Sequence, residues 1–185
     1  MARRWLRTPG ASSRGVWAAR DGAAAVEFAL VVPVFLALTF AIIEAGYLYF
    51  VESAVEAANA KAARLIRTGQ AQTTGLSREA FFKEICDVVD IFGDCTAQLT
   101  VDVSRFSSFS ALAADLSAPV CRDADPDAVK AIPYDAGAAR DIVRVRVCYL
   151  HKSVAPGVGL TLEKTNAGAL RMISTSIFRN EPFDP

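Results

Sequence analysis

The sequence predicts an α+β protein: one long N-terminal helix carrying a small antiparallel sheet and a short extra helix. Three observations predict it. An apolar run near the N-terminus passes without a break into an amphipathic stretch of helical period. Three later segments alternate β-branched residues with polar ones. Between these, Gly- and Pro-containing stretches punctuate the chain of 185 residues, a length that suits one modest domain with appendages.

The long helix is expected over residues 23–68. From Phe28 to Ile43 there are 16 residues without a charge, and from Ala23 to Val51 only Glu27 and Glu44 interrupt. As a helix the longer stretch would extend about 43 Å, whereas a bilayer core needs about 20 residues. Residues 23–51 therefore read as a membrane span, with Pro33 tolerated inside it. From Val51 the pattern becomes amphipathic. Val51, Ala54, Val55, Ala58, Ala62 and Leu65 recur at three- and four-residue steps, and Glu52, Glu56, Asn59, Lys61, Arg64 and Arg67 take other faces. Residues 52–69 are thus the outer half of the helix, which would measure roughly 65–70 Å in all. Gly69 stops it.

Residues 70–185 form the head. A polar linker is expected over 70–76. Ser77 then caps a helix to about Ile91, ended by Gly93. Strands are expected at Gln98–Ser104, Ile142–Leu150 and Ala169–Phe178. The intervening 105–140 and 151–166 are loop-rich, with Pro119, Pro126, Pro133 and Pro156.

Charge orients the chain. Residues 1–22 carry Arg3, Arg4, Arg7, Arg14 and Arg20 against Asp21 alone, and the remainder holds 15 basic and 19 acidic side chains, a net of −4. A basic flank before the span places residues 1–22 in the cytoplasm as a leader and the head outside. No basic patch in the head suggests nucleic acid. Cys86, Cys95, Cys121 and Cys148 all fall in the outer part, where an even count favours disulfides. Three pairings are possible, and the sequence does not choose among them. The expectation taken forward is Cys86–Cys95 and Cys121–Cys148, the nearest neighbours along the chain.

The informative motif is Gly22-Ala-Ala-Ala-Val-Glu27-Phe28, where leader meets span. An ionisable residue this close to the core of a span is costly and marks a functional site by default. A cut after Gly22 would give Ala23 a new amine, with Glu27 one helical turn further on. That carboxylate can pair with an ammonium on a neighbouring subunit or satisfy free amides of the first turn. The alternative for Glu27 is a carboxylate at headgroup level that ends the span.

The stretch "DGAAAVEFALVVPVFLALTFAIIEAGYLYFVESAVEAANAKAARLIRTGQAQ" resembles the TadE-like family of pseudopilins from the tight-adherence (Flp, type IVc) pilus machinery. The resemblance covers residues 20–72, and "SIFRNEPF" near the C-terminus is also similar, more weakly. It implies a pilin-like fold and a prepilin peptidase cut after Gly22. Ala23 would then be the new terminus, with Glu27 as the assembly glutamate. Pilins of this system usually follow that glutamate with tyrosine, whereas this chain has Phe28. The head is far larger than that of a major pilin, which points to a minor component. The implied partners are other pseudopilins and pilin, the prepilin peptidase, an inner-membrane assembly platform and membrane lipid, and the implied location is the bacterial inner membrane with the head periplasmic. No cofactor, metal or catalytic residue is implied. The rival readings are an uncleaved bitopic scaffold and a membrane-tethered periplasmic enzyme.

Other signals are weaker. Arg3-Arg4 stands too far from the apolar run for a twin-arginine signal, and Ala58-Asn59-Ala60 follows too long a run for a signal peptidase site. Asp123, Asp125 and Asp127 imitate a calcium loop but lack its glycine and its closing glutamate, so a solvated acidic loop is expected. Glu44 is expected at the outer membrane interface, and the single histidine, His151, on the surface.

Overall fold

The computed structural model describes residues 22–152 and 168–183. It has two compact units, one ending at Phe40 and one beginning at Ala41. Helix α1, Ala23–Arg67, contributes to both.

In the first unit α1 is apolar on every side apart from Glu27 and Thr39, and it is exposed except at the half-buried Val32 and Thr39. Val26, Phe28, Leu30, Val31, Val34 and Phe35 all face outward. The 18-residue window that qualifies α1 as a candidate membrane span has a mean hydropathy of 2.5 and no buried residue. Apolar surface of this extent has no partner among the described residues, as expected of a segment solvated by lipid or by other helices. Thr39 returns its hydroxyl to the Phe35 carbonyl (2.8 Å), so this polar group is satisfied within the helix.

The second unit is the head. Its elements after α1 are α2 (Gln70–Thr73), α3 (Arg78–Val89), a 3₁₀ turn (Asp90–Phe92), α4 (Cys95–Gln98), β1 (Leu99–Phe106), α5 (Phe109–Ala114), α6 (Pro126–Lys130), β2 (Ile142–Lys152) and β3 (Ala169–Arg179). The three strands form one antiparallel sheet in the order β1-β2-β3. The architecture is the α+β one that the sequence predicts.

Side-chain alternation explains the layers. On one sheet face, Leu99, Val101 and Val103 of β1 align with Tyr149, Val147 and Val145 of β2. These pack against Val51, Val55, Ala58, Ala62 and Ile66 of α1 and against Phe81, Ile85 and Val89 of α3. Tyr47 and Leu48 join this core, so Tyr47, Leu48 and Val51 at the end of the 23–51 stretch pack into the head while Tyr49 and Phe50 stay exposed. Asn59, expected on a polar face of α1, is instead buried, and its Nδ2 donates to Ser174 Oγ (2.9 Å) and Ser176 Oγ (3.1 Å) on β3. The two strand hydroxyls satisfy the amide N–H groups, which lowers the cost of this burial, while Asn59 Oδ1 has no partner among the described residues.

The other sheet face is also covered, and β2 is therefore buried from Ile142 to His151. The cover is the segment after β1. Thr100 Oγ1 donates to the Val120 carbonyl (2.6 Å), Arg122 Nε to the Leu99 carbonyl (2.9 Å) and Arg146 Nη1 to the Ser117 carbonyl (2.6 Å). Arg146 also donates through Nε and Nη2 to one oxygen, Oδ2, of Asp102, its register partner on β1. Arg144 pairs with Asp115 (2.8 Å) and lies over the Phe106 ring, 4.9 Å from its centroid. Asp115 is held well below the usual carboxylate range, at about 2, first by the Ser117 backbone N–H and then by the Ser117 hydroxyl and Arg144.

Both disulfides take the expected pairing. Cys86–Cys95 closes the end of α3 onto α4, and Cys121–Cys148 fastens the covering segment to β2. Ser77 caps α3, its side chain accepting from the Ala80 amide, as the sequence predicts. Gly69 follows α1 with φ of 78°, where a left-handed residue lets the last carbonyls close. The expected linker 70–76 is not simply a linker. It contains α2, buries Ala71, and uses Gln72 Nε2 to reach the carbonyls of Ile66 and Ala136.

Candidate functional site

The sequence places the candidate site at the start of α1, and helix onset fixes its geometry. Gly22 is the last residue before the α-helix and Ala23 the first within it. Four residues separate Ala23 from Glu27, so both project from adjacent turns of one face. Gly22, Ala23, Glu27 and Phe28 are all exposed. A Cβ built on Gly22 meets nothing within 4 Å among the described residues, so packing among them does not itself demand glycine there. The first turn of α1 has no acidic side chain, leaving Glu27, one turn in, as the first carboxylate within the helix. The four cysteines belong to the head and are structural bridges, not part of this site.

Within the head, several residues set aside by the sequence reading differ from expectation. His151 is not on the surface. It is buried between the rings of Tyr47 (5.5 Å between centroids) and Tyr149 (6.4 Å), and neither ring nitrogen has a hydrogen-bond partner among the described residues. Burial pushes its pKa down, opposed by the negative charge of Glu44. Asp123 is not a solvated loop acid, since its carboxylate is mostly covered and takes a bidentate pair from Arg171 of β3. Asp125 caps α6 by accepting from the Asp127 amide (2.8 Å). Among the described residues no three His, Cys, Asp or Glu side chains gather closely enough to hold a metal.

The head has shallow cavities. One of about 430 Å³ lies between α3 and β1, lined by Phe81, Phe82, Val101, Ile132 and Tyr134 with Arg78, Arg122 and Lys130 around it. Its two hydroxyls are committed to backbone, Thr100 to Val120 and Tyr134 to Leu76 (3.2 Å). Three others border β3. Ala45, Leu48 and Glu52 face Leu170–Ile173 across about 370 Å³, and Ala60, Ala63 and Arg64 face Ser176–Phe178 across about 380 Å³. On the opposite sheet face, Leu112, Pro119 and Arg144 enclose about 660 Å³ with Ile173, Thr175 and Ile177. The sequence reading missed this convergence. The alternation of exposed Ile173 and Ile177 was visible, but the groove beside it comes from α1 and from the covering segment.

A family model described as TadE-like protein matches residues 22–64. The matched segment begins at Gly22 and runs through the apolar and amphipathic parts of α1, so the similarity extends along nearly the whole helix. Neither a curated protein nor a solved structure matches the chain.

Proposed function

We propose that this chain, TadE-like over residues 22–64, is a minor pseudopilin that takes part in assembling a tight-adherence type IV pilus. The observation that carries the reading is a coincidence of three boundaries at one place: the matched segment starts at Gly22, the α-helix starts at Ala23, and an exposed carboxylate, Glu27, follows one turn later. A prepilin peptidase working on the cytoplasmic side cuts after Gly22 and leaves the amine of Ala23 at the head of an intact helix. That ammonium and Glu27 supply opposite charges near the start of otherwise apolar helices. In a low-dielectric setting such a pair is strong enough to register one subunit against another.

In this reading α1 holds the protein in the inner membrane, with its N-terminus cytoplasmic and its head periplasmic. The exposed apolar surface of Val26–Phe40 exchanges lipid for the helices of pilin, other pseudopilins and the assembly platform. Two disulfides suit a head that works in an oxidising compartment. The chain acts as a structural subunit and not as an enzyme.

Intact mass and N-terminal sequence of the protein purified from its host's membranes test the proposal. A start at Ala23 is expected. A start at Met1 or Ala2 would transfer the reading to an uncleaved bitopic scaffold.

A further inference from the structure

The two edges of the sheet are unequal. The edge of β1 is occupied at Val103, whose N–H donates to the Pro133 carbonyl (3.1 Å) and whose carbonyl accepts from the Asp135 amide (2.9 Å). Tyr134 anchors this cover against Phe81, their ring centroids 5.3 Å apart. Among the described residues β3 pairs with β2 alone. From Met172 to Phe178 its sequence is Met-Ile-Ser-Thr-Ser-Ile-Phe: no charge, no proline and no glycine over seven residues. Natural edges are ordinarily blunted by such residues or by a cover. Ile173 and Ile177 are half exposed, at 48% and 50%. Cavities open beside this strand on both faces of the sheet. An incoming strand sends alternate side chains to opposite faces, so these cavities lie where its side chains would go.

We infer that the β3 edge from Met172 to Phe178 receives an antiparallel strand from a different polypeptide. The required strand is β-branched and uncharged through its middle and acidic at its N-terminal end. That end would lie beside the C-terminal end of β3, where Arg64 and Arg67 line the cavity and Arg179 ends the strand; Glu181 pairs with Arg67, so these four side chains together leave a positive charge.

A second copy of this chain, paired antiparallel through its own β3, does not fit. Within the head β3 runs the same way as α1: Leu48 lies by Leu170–Ile173, Asn59 by Ser174 and Ser176, and Ala63 by Ser176–Phe178. Antiparallel pairing of two β3 edges therefore reverses α1 in one copy. The two heads would then receive their chains from opposite ends, which two proteins inserted the same way in one bilayer cannot do. The β1 edge of a neighbour is closed at Val103. This argument rests on the membrane-anchored part of the proposed function and on nothing else in it.

The test uses the full-length chain in its host membrane, with the photo-crosslinker p-benzoylphenylalanine in place of Thr175, and in place of Lys83 on α3 as a control. Irradiation should join position 175, and not position 83, to another polypeptide. The attached peptide, sequenced by mass spectrometry, should be an uncharged β-branched run preceded by Asp or Glu. The double variant Ile173→Lys, Ile177→Lys places ammonium groups in the outer cavity and should cut adduct yield by about tenfold or more, while both disulfides form as before. An adduct to a second copy, an adduct indifferent to the two lysines, or no adduct overturns the inference. The N-terminus of the same sample is read separately, so failure of the edge and failure of processing at Gly22 are distinguishable.

Discussion

Phe183 lies with its ring directly against Gly69, leaving no room there for a Cβ. The contact closes the C-terminal end of α1. The Glu181 amide donates to the Arg67 carbonyl (2.8 Å), and the Glu181 carboxylate reaches Arg67 Nε (3.4 Å). Residues that follow β3 thus seal the last turn of the long helix, satisfying a carbonyl that the helix itself leaves free.

Gly69→Ala should accordingly be costly on two counts. The backbone there has φ of 78°, which an L side chain adopts only with strain, and the new methyl collides with the Phe183 ring. A loss of about 2 kcal/mol or more is expected in denaturant unfolding of the full chain in detergent. Gly75→Ala is the comparison. Its φ is also positive, at 60°, but a Cβ there meets nothing within 4 Å, so it should lose only the strain. Equal losses at the two positions would refute the role given to Phe183.

Asp102 and Arg146 are register partners across β1 and β2, and both side chains are about nine-tenths covered. Removing one partner strands a buried charge, at a cost of roughly 3–5 kcal/mol, whereas replacing both by apolar residues of similar volume can be neutral. Asp102→Ala should therefore be severely destabilised, and Asp102→Leu combined with Arg146→Met should recover most of the loss. The double replacement cannot restore everything, because Arg146 also donates to the Ser117 carbonyl and helps hold the covering segment. Equal damage in the single and double variants would show that the pair does not carry the energy.

How much of this was legible in the sequence follows local pattern. The long helix, its stop at Gly69, the Ser77 cap and the three strands each have a periodicity or a capping residue of their own, and each forms within a few residues of expectation. The disulfide pairing also agrees, since near neighbours in the chain close the smallest loops. The missed features come from long-range contacts. Arg144 and Arg146 alternate with valines as a solvated strand face would, yet they are buried because residues 115–122, which have no periodicity, fold across them. Asn59 is polar and still faces the core, because Ser174 and Ser176, more than a hundred residues away, supply its partners. At the candidate site the residue types and spacing were readable, while the openness around Gly22 was not.

Buried His151 gives the head a pH dependence. Its folded pKa is lowered, first by burial, so the unfolded chain takes up the proton before the folded one does. The sign follows: the neutral ring's contribution is present above the unfolded value of about 6.5 and is lost as pH falls through it toward the folded pKa. Melting temperature should drop between pH 7 and pH 5. His151→Phe keeps the contacts with Tyr47 and Tyr149 and removes the proton, so its melting temperature should be nearly flat over that window. A parent protein equally stable at both pH values would contradict the burial assigned to this ring.

Glu27 lies in the unit of the chain that makes no contribution to the head's core, so its replacement separates assembly from folding. Glu27→Ala removes the one carboxylate among the exposed apolar residues that precede Glu44 and makes the segment more hydrophobic. Membrane insertion should persist, and the head should melt as the parent does. Trimming to Ala23 should also continue, since the bond after Gly22 is untouched. Pilus production, scored by shearing and immunoblotting of surface filaments, should fall to background, because the ammonium of Ala23 in a neighbouring subunit would have no counter-charge. Glu27→Asp keeps the charge on a shorter arm and should restore part of the yield, which a purely hydrophobic effect of the alanine would not allow. Normal piliation in Glu27→Ala would leave Glu27 as a headgroup-level carboxylate with no part in assembly.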